Sequence, residues 1–145
     1  FKSILKYAPI VGQFGLRIGC IPVDRGKRGQ AIKKMLADVT AGRAVGGQLI
    51  IYPQGTRIAP GVKAPYKVGT GALYRELNQP VVPVATNIGV FWPKRGIFRK
   101  PGTAVFEFLP RIEPGLEVAY FMDRIEHDTE TASDRLNKEA GFDGA

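Results

Sequence analysis

The fold is predicted most directly by residues 48–57, which read QLIIYPQGTR. The run from Gln48 to Tyr52 is short and apolar and holds two isoleucines, which is typical of a buried β-strand. Pro53 and Gly55 then end the run and open a long loop that extends to Lys67. We therefore predict a strand that presents a polar loop at its carboxyl end.

Predicted strands and helices alternate on both sides of this loop. Upstream, we predict a strand at Cys20–Asp24 and a helix with one apolar stripe at Gln30–Arg43. Downstream, we predict a short helix at Gly69–Leu77 and a buried strand at Val81–Thr86. This alternation indicates an α/β domain with a mostly parallel central sheet flanked by helices, and we predict one domain over residues 1–145.

The two ends of the chain also show regular patterns. Phe1–Ala8 and Ile10–Ile18 have apolar residues at helical spacing, and Thr103–Leu109 alternates like a further strand. Leu116–Ala140 is predicted to be a helical tail. It could divide into two pieces, because Thr131 and Asp134 have the spacing of a capping box.

The charge of the chain narrows the classes of partner. There are 21 Lys and Arg against 13 Asp and Glu, a formal net charge of +8. This balance suits nucleic acid, a phosphorylated small molecule or an anionic membrane face as the partner, and a solvated basic surface without a partner is the alternative.

The longest apolar stretch, Pro80–Pro93, falls well short of the ~20 residues of a membrane span. A lone cysteine, Cys20, forms no intrachain disulfide, which fits a reducing location.

Three cationic positions follow predicted strands. Arg25 comes after Cys20–Asp24, Arg57 lies just past Tyr52, and Lys67 closes the same loop. In open α/β sheets, ligands bind beyond the carboxyl ends of strands, and Arg and Lys both suit phosphate. From the residues alone, a phosphate site and an ordinary solvated surface are about equally supported.

Four blocks of the sequence resemble the glycerol-phosphate and acylglycerol-phosphate acyltransferases. Residues 51–57, IYPQGTR, resemble the family motif Phe-Pro-Glu-Gly-Thr-Arg, and residues 19–25, GCIPVDR, are similar to an earlier block that ends in a phosphate-binding arginine. Residues 66–69, YKVG, resemble an aromatic-Lys-x-Gly step, and residues 82–85, VPVA, resemble the last block. The blocks occur in the family's order, and the resemblance is to the 1-acyl-glycerol-3-phosphate type.

The resemblance implies a role for individual residues. Arg25 is expected to hold the phosphate of the acyl acceptor, with Lys67 as a second cation. Gly55, Thr56 and Arg57 are expected to shape the acceptor site. Substrate binding is also expected at position 54. At this position the chain has Gln54 where the family usually has Glu. The Gln side chain can still form hydrogen bonds, but it lacks the negative charge of Glu.

The implied reaction is transfer of a fatty acyl group to the sn-2 hydroxyl of 1-acyl-glycerol-3-phosphate (lysophosphatidic acid), which makes phosphatidic acid. No metal or cofactor is expected, and acyl-coenzyme A or acyl-acyl carrier protein would be the co-substrate. The expected location is the cytoplasmic face of the cell membrane, against an anionic surface, either peripheral or anchored by an N-terminal part.

The family's catalytic pair, a His and an Asp separated by four residues, does not match this sequence. The one histidine, His127, is followed five positions later by Ala132. We expect the pair just before Phe1, so the chain is predicted to be N-terminally truncated and inactive by itself. One alternative is a non-catalytic domain that binds anionic lipid or a phosphorylated ligand. Another is a nucleic-acid-binding module, suggested by the aromatic and basic residues of Phe91–Lys100.

Overall fold

A computed structural model of the chain describes residues 11–17, 30, 32–33, 36–37, 48–93 and 98–143. The chain divides into two compact units, Phe1–Ile50 and Ile51–Ala145. The single domain predicted for residues 1–145 stays a prediction. Two predicted elements, the helix Phe1–Ala8 and the strand Cys20–Asp24, lie outside the described residues.

The first unit is helical at its described residues up to Ala37, and residues 48–50 form neither helix nor strand. Helix α1 spans Val11–Arg17, within the predicted segment Ile10–Ile18. Helical backbone is also found at Gln30, Ile32, Lys33, Leu36 and Ala37. These five positions agree with the predicted helix Gln30–Arg43.

The described part of the second unit contains three helices and two short strands. They are α2 (Gly69–Leu77), β1 (Val84–Thr86), α3 (Ile88–Phe91), β2 (Phe106–Phe108) and α4 (Val118–Glu139). The bounds of α2 are those predicted. The helix ends at Asn78, which adopts a left-handed conformation with φ 47° and donates its backbone N–H to the carbonyl of Tyr74.

Strands β1 and β2 form an antiparallel ribbon. Val84 lies opposite Phe108, and Thr86 lies opposite Phe106. Further along, Val81 and Ile112 exchange backbone hydrogen bonds of 2.9 and 2.8 Å. Between the Val84–Phe108 and Val81–Ile112 pairs, one side has two residues (82–83) and the other has three (109–111), so the ribbon contains a β-bulge.

The predicted sheet is corrected in two respects. In the described part of the chain, the strands pair antiparallel, so a mostly parallel central sheet is not seen there. The predicted strand Gln48–Tyr52 is wrong, because these residues form no strand, and Ile50 and Tyr52 are exposed. An apolar run becomes a strand only when a neighbouring strand satisfies its backbone groups, and these residues pair with none.

The core of the second unit surrounds two stacked rings. The rings of Tyr74 and Phe121 are parallel, with centroids 3.8 Å apart. Tyr66, Ile112 and Ile125 complete this buried cluster. The hydroxyl of Tyr74 donates to the carbonyl of Glu113 at 2.6 Å and accepts from the N–H of Leu116 at 3.0 Å. The ring contacts thus join α2 to α4, and the hydroxyl fixes the segment before α4.

A close approach between α2 and α4 requires glycine at residue 71. A Cβ at Gly71 would lie 2.7 Å from Cγ1 of Val118 and 3.1 Å from Cγ of Met122, both on α4. On another part of α4, Ala132 and Leu136 pack with Ala85 of β1. The long helix therefore packs on both α2 and the ribbon.

Helix α4 is continuous through the predicted break. It runs unbroken for 22 residues, so the capping-box interpretation of Thr131 and Asp134 is wrong. Its N-cap is Glu117, whose carboxylate accepts from the N–H of Tyr120 at 3.1 Å. Hydrogen bonds from the backbone N–H groups of Ala119 and Tyr120 lower the pKa of Glu117. In the described ranges, no helix has both the length and the apolar character needed to cross a membrane.

Candidate functional site

The motif loop, residues 52–57, begins with a tight turn. The N–H of Gly55 donates to the carbonyl of Tyr52 at 2.9 Å. Pro53 takes the second position of this turn and Gly55 the fourth, which are the positions that these residue types favour in the commonest turn. Gly55 has φ +70°, a left-handed conformation in which a side chain is strained. The sequence therefore fixes the backbone that leads into Thr56 and Arg57.

Lys67 lies beside this turn. Its backbone N–H donates to the carbonyl of Pro53 at 2.9 Å, and its Cγ is 3.7 Å from where a Cβ of Gly55 would be. The carbonyl of Lys67 accepts from the N–H of Thr70 at 3.0 Å as α2 begins. The first turn of α2 has no acidic residue to neutralise its positive end. Two of the four sequence blocks, at residues 51–57 and 66–69, thus meet in the structure.

A hydrogen-bond network links both blocks to α4. The hydroxyl of Tyr66 donates to Oε1 of Glu130 at 2.8 Å, and Nε2 of Gln54 donates to the same oxygen at 3.3 Å. The backbone N–H of Tyr66 donates to Oε2 of Glu126 at 3.4 Å. Burial, and then the bond to the Glu130 carboxylate, raise the pKa of Tyr66. The hydroxyl therefore keeps its proton and acts as a donor.

The predicted site residues differ in how the structure presents them. The side chains of Thr56, Arg57 and Lys67 are exposed, while Gln54 and Gly55 are partly buried. Arg25 lies outside the described residues, so the convergence of Arg25 with Arg57 and Lys67 stays a prediction.

The lone histidine and the last sequence block lie outside the motif loop. His127 is exposed on α4. In the last block, Pro83 and Ala85 are buried, whereas Val82 and Val84 are exposed. Across the described residues, no cluster of potential metal ligands is found.

Sequence reasoning missed the contribution of α4 to this site. Glu126 and Glu130 are four residues apart, so they lie on one face of the helix. They are next to the apolar stripe that holds Ile125. Two carboxylates at this spacing beside a buried stripe could have indicated a polar contact on this face of α4. Nothing in the sequence indicates that this contact is with Gln54 and Tyr66.

Comparison with known proteins bears on all four blocks. A family model described as Acyltransferase matches residues 1–87, a range that holds every block from residue 19 to residue 85. The chain belongs to the acyltransferase family. The motif loop and Lys67 are therefore parts of an acyltransferase domain.

Several named acyltransferases are similar to the chain. It is 33% identical over 102 residues to a 1-acyl-sn-glycerol-3-phosphate acyltransferase of Pseudomonas aeruginosa, covering 70% of this chain and 40% of that one. It is 31% identical over 113 residues to an enzyme of the same name from Limnanthes alba, covering 77% and 40%. An uncharacterised acyltransferase of Schizosaccharomyces pombe is 29% identical over 136 residues, covering 90% and 48%.

The chain thus spans less than half the length of these relatives. No solved structure shows significant similarity to it.

Proposed function

We propose that the protein carrying this chain transfers a fatty acyl group from an acyl thioester to the sn-2 hydroxyl of lysophosphatidic acid and so makes phosphatidic acid. The observation that carries the proposal is the joining of the motif loop to Lys67 through the Pro53 hydrogen bond and the Gly55 contact. Support also comes from membership of the acyltransferase family and from the names of the relatives.

The acceptor site is proposed to bind the phosphate through cations. Arg25 would hold the phosphate, with Lys67 as the second cation, while Thr56 and Arg57 contribute polar contacts to the glycerol end. The fixed turn at Gly55 supports this assignment, because a rigid backbone keeps such contacts oriented and lowers the entropy lost on binding. Gln54 would contribute through hydrogen bonds without a charge of its own.

The chemistry is proposed to use a His-x4-Asp pair located ahead of residue 1. The histidine takes the proton of the sn-2 hydroxyl, and the oxygen attacks the thioester carbonyl. The carbon–sulfur bond then breaks, an ester forms, and the thiol leaves with a proton. The donor would be acyl-coenzyme A or acyl-acyl carrier protein, and no resident cofactor takes part.

The test is conversion of radiolabelled lysophosphatidic acid to phosphatidic acid. The protein that carries this chain behind a His-x4-Asp segment is expected to make phosphatidic acid. The 145-residue chain alone is expected to lose roughly 10²–10⁴-fold, because it holds no such pair. Equal turnover by both would contradict the proposal and would direct attention to His127. The alternative of a non-catalytic binding domain is less well supported, because the named relatives are enzymes.

We also propose that the domain lies on the cytoplasmic face of the membrane. The candidate contact is an interfacial patch consisting of Trp92, Phe98, Arg99 and Lys100. Trp92 is 47% exposed and Phe98 is 84% exposed, and the Arg99 guanidinium lies 4.2 Å from the Trp92 ring centroid. Aromatic rings beside cations suit the headgroup region of an anionic bilayer, where each cation contributes ~1 kcal/mol. Phe1, Ile4 and Leu5 of the apolar segment Phe1–Ala8 are further candidate contacts, and they lie outside the described residues.

Flotation with anionic liposomes tests this attachment. The chain is expected to float at low salt and to be released at high salt. Phe98→Ala should reduce flotation, whereas Tyr120→Ala should not, because Tyr120 is also exposed but lies beside the acidic N-cap of α4. Flotation that is equal for both variants would place the contact elsewhere. Binding of nucleic acid in preference to the liposomes would instead support the alternative of a nucleic-acid-binding module.

The mostly parallel central sheet remains part of the proposal for the complete domain. It is supported by the predicted strand Cys20–Asp24 and by the helical positions at residues 30–37 that follow it in sequence. An experimental structure with Cys20–Asp24 and β1 in different sheets would contradict it.

A further inference from the structure

Glu130 of α4 accepts two hydrogen bonds on one oxygen from distant parts of the chain. Gln54 is 76 residues away in sequence and Tyr66 is 64 residues away. Gln54 belongs to the motif loop, and Tyr66 directly precedes Lys67. One carboxylate therefore contacts both blocks that the candidate site brings together.

A neutral amide at residue 54 suits this contact, and a carboxylate does not. The amide nitrogen of Gln54 donates to the Glu130 oxygen at 3.3 Å. The Glu that the family motif usually has would bring a second carboxylate, which can only accept when ionised. Two negative charges at that separation repel each other. Gln54 therefore suits Glu130, because its amide donates a hydrogen bond to the carboxylate and adds no second negative charge.

We propose that Glu130 is a positioning residue of the acceptor site and supplies, from α4, the negative charge that the family motif usually carries at position 54. It orients the motif loop through Gln54 and the backbone at Lys67 through Tyr66. This role rests on the proposed function, because it presupposes an acceptor bound beside that loop.

A charge exchange between the two positions tests the proposal. Gln54→Glu places two carboxylates together and is expected to lower the Tm by about 4 °C. Adding Glu130→Gln restores a matched pair, because the amide of residue 130 then donates to residue 54 and its carbonyl oxygen still accepts from Tyr66. The matched control adds Asp134→Asn instead, which removes the same charge from α4 four residues further on and should give no rescue.

Acceptor binding gives the second measurement. Gln54→Glu is expected to weaken binding of lysophosphatidic acid to the chain about tenfold, and Gln54→Glu/Glu130→Gln should recover it. In the protein that carries the His-x4-Asp segment, the same variants should change KM for lysophosphatidic acid and leave kcat unchanged. A merely structural role would not produce this division, because partial unfolding lowers the apparent kcat instead.

The outcomes separate this proposal from the proposed function. The pairing of Gln54 with Glu130 is overturned if Gln54→Glu does not lower the Tm. It is also overturned if Asp134→Asn restores the Tm as well as Glu130→Gln does. A rescue of Tm without any recovery of binding or KM overturns the positioning role. A wild-type chain that does not bind lysophosphatidic acid overturns the proposed function and the positioning role together, even if the Tm rescue is found.

Discussion

Replacing Tyr66 by Phe removes one oxygen atom from the network and leaves a ring in the core. Tyr66 is only 8% exposed, and its hydroxyl donates to Glu130 at 2.8 Å. A hydrogen bond to a charged group contributes about 1.5–3 kcal/mol. Glu130 is partly buried, so water can compensate for some of the loss. We therefore expect Tyr66→Phe to lower the free energy of unfolding by about 1.5 kcal/mol, which corresponds to a Tm decrease of roughly 5 °C.

Urea denaturation followed by circular dichroism measures this loss. Tyr120→Phe is the matched control, because Tyr120 is 58% exposed and the same atom is removed. The control is expected to change the free energy of unfolding by less than about 0.5 kcal/mol. If both variants unfold at the same urea concentration, the bond to Glu130 contributes nothing and the proposed link between α4 and the site is refuted.

The pH dependence of the Tyr66→Phe effect gives an independent check. Burial and the Glu130 carboxylate raise the pKa of Tyr66 above its ordinary value of 10.0. Because the pKa is higher in the folded state, the contribution of the hydroxyl is fully present below about pH 10 and is lost as the pH rises through the folded pKa. The difference between wild type and Tyr66→Phe should be constant at lower pH and shrink above about pH 10. A difference that grows there would contradict the stated environment of Tyr66.

Three further substitutions test the scaffold. Phe121→Ala removes the fully buried ring that stacks on Tyr74 and should cost about 3–5 kcal/mol by calorimetry, so a loss below about 1 kcal/mol would contradict the described core. Asn87→Ala leaves the N–H of Val105 without the 2.8 Å bond to the Asn87 side chain and should cost about 1–3 kcal/mol in urea, with unchanged stability arguing against this contact. Gly55→Ala forces a side chain to φ +70° and should cost about 1–2 kcal/mol by the same assay, and unchanged stability would contradict the left-handed conformation of residue 55.

Helix α2 could be predicted in full because its signals are local. Buried Leu73 and Tyr74 lie on one face, glycine opens the helix, and Asn78 ends it. The capping-box pattern at Thr131 failed because buried Ala132 and Leu136 continue the apolar stripe of α4 across it, and this packing stabilises the helix more than a local cap would.

The strand pairing depended on more than local pattern. In the described part of the connection from β1 to β2, residues 87–93 and 98–105, the helix is α3, which has four residues, and a long crossover helix of the kind that parallel strands usually need is not found there. The network of Gln54, Tyr66 and Glu130 joins positions more than 60 residues apart. Sequence spacing therefore gave no means of predicting it, although the motif loop and Lys67 were both predicted as site residues.

The most direct test of the central claim is kcat/KM for acceptors with and without phosphate, measured in the protein that carries the His-x4-Asp segment. Arg25→Ala and Lys67→Ala should each weaken use of lysophosphatidic acid by about 1.5–3 kcal/mol and have little effect on monoacylglycerol. Their controls, Lys27→Ala and Lys63→Ala, remove cations from neighbouring positions and should be near neutral. Equal defects for both acceptors, or controls that behave like Arg25→Ala and Lys67→Ala, would contradict the assignment of a phosphate-binding acceptor site to these residues.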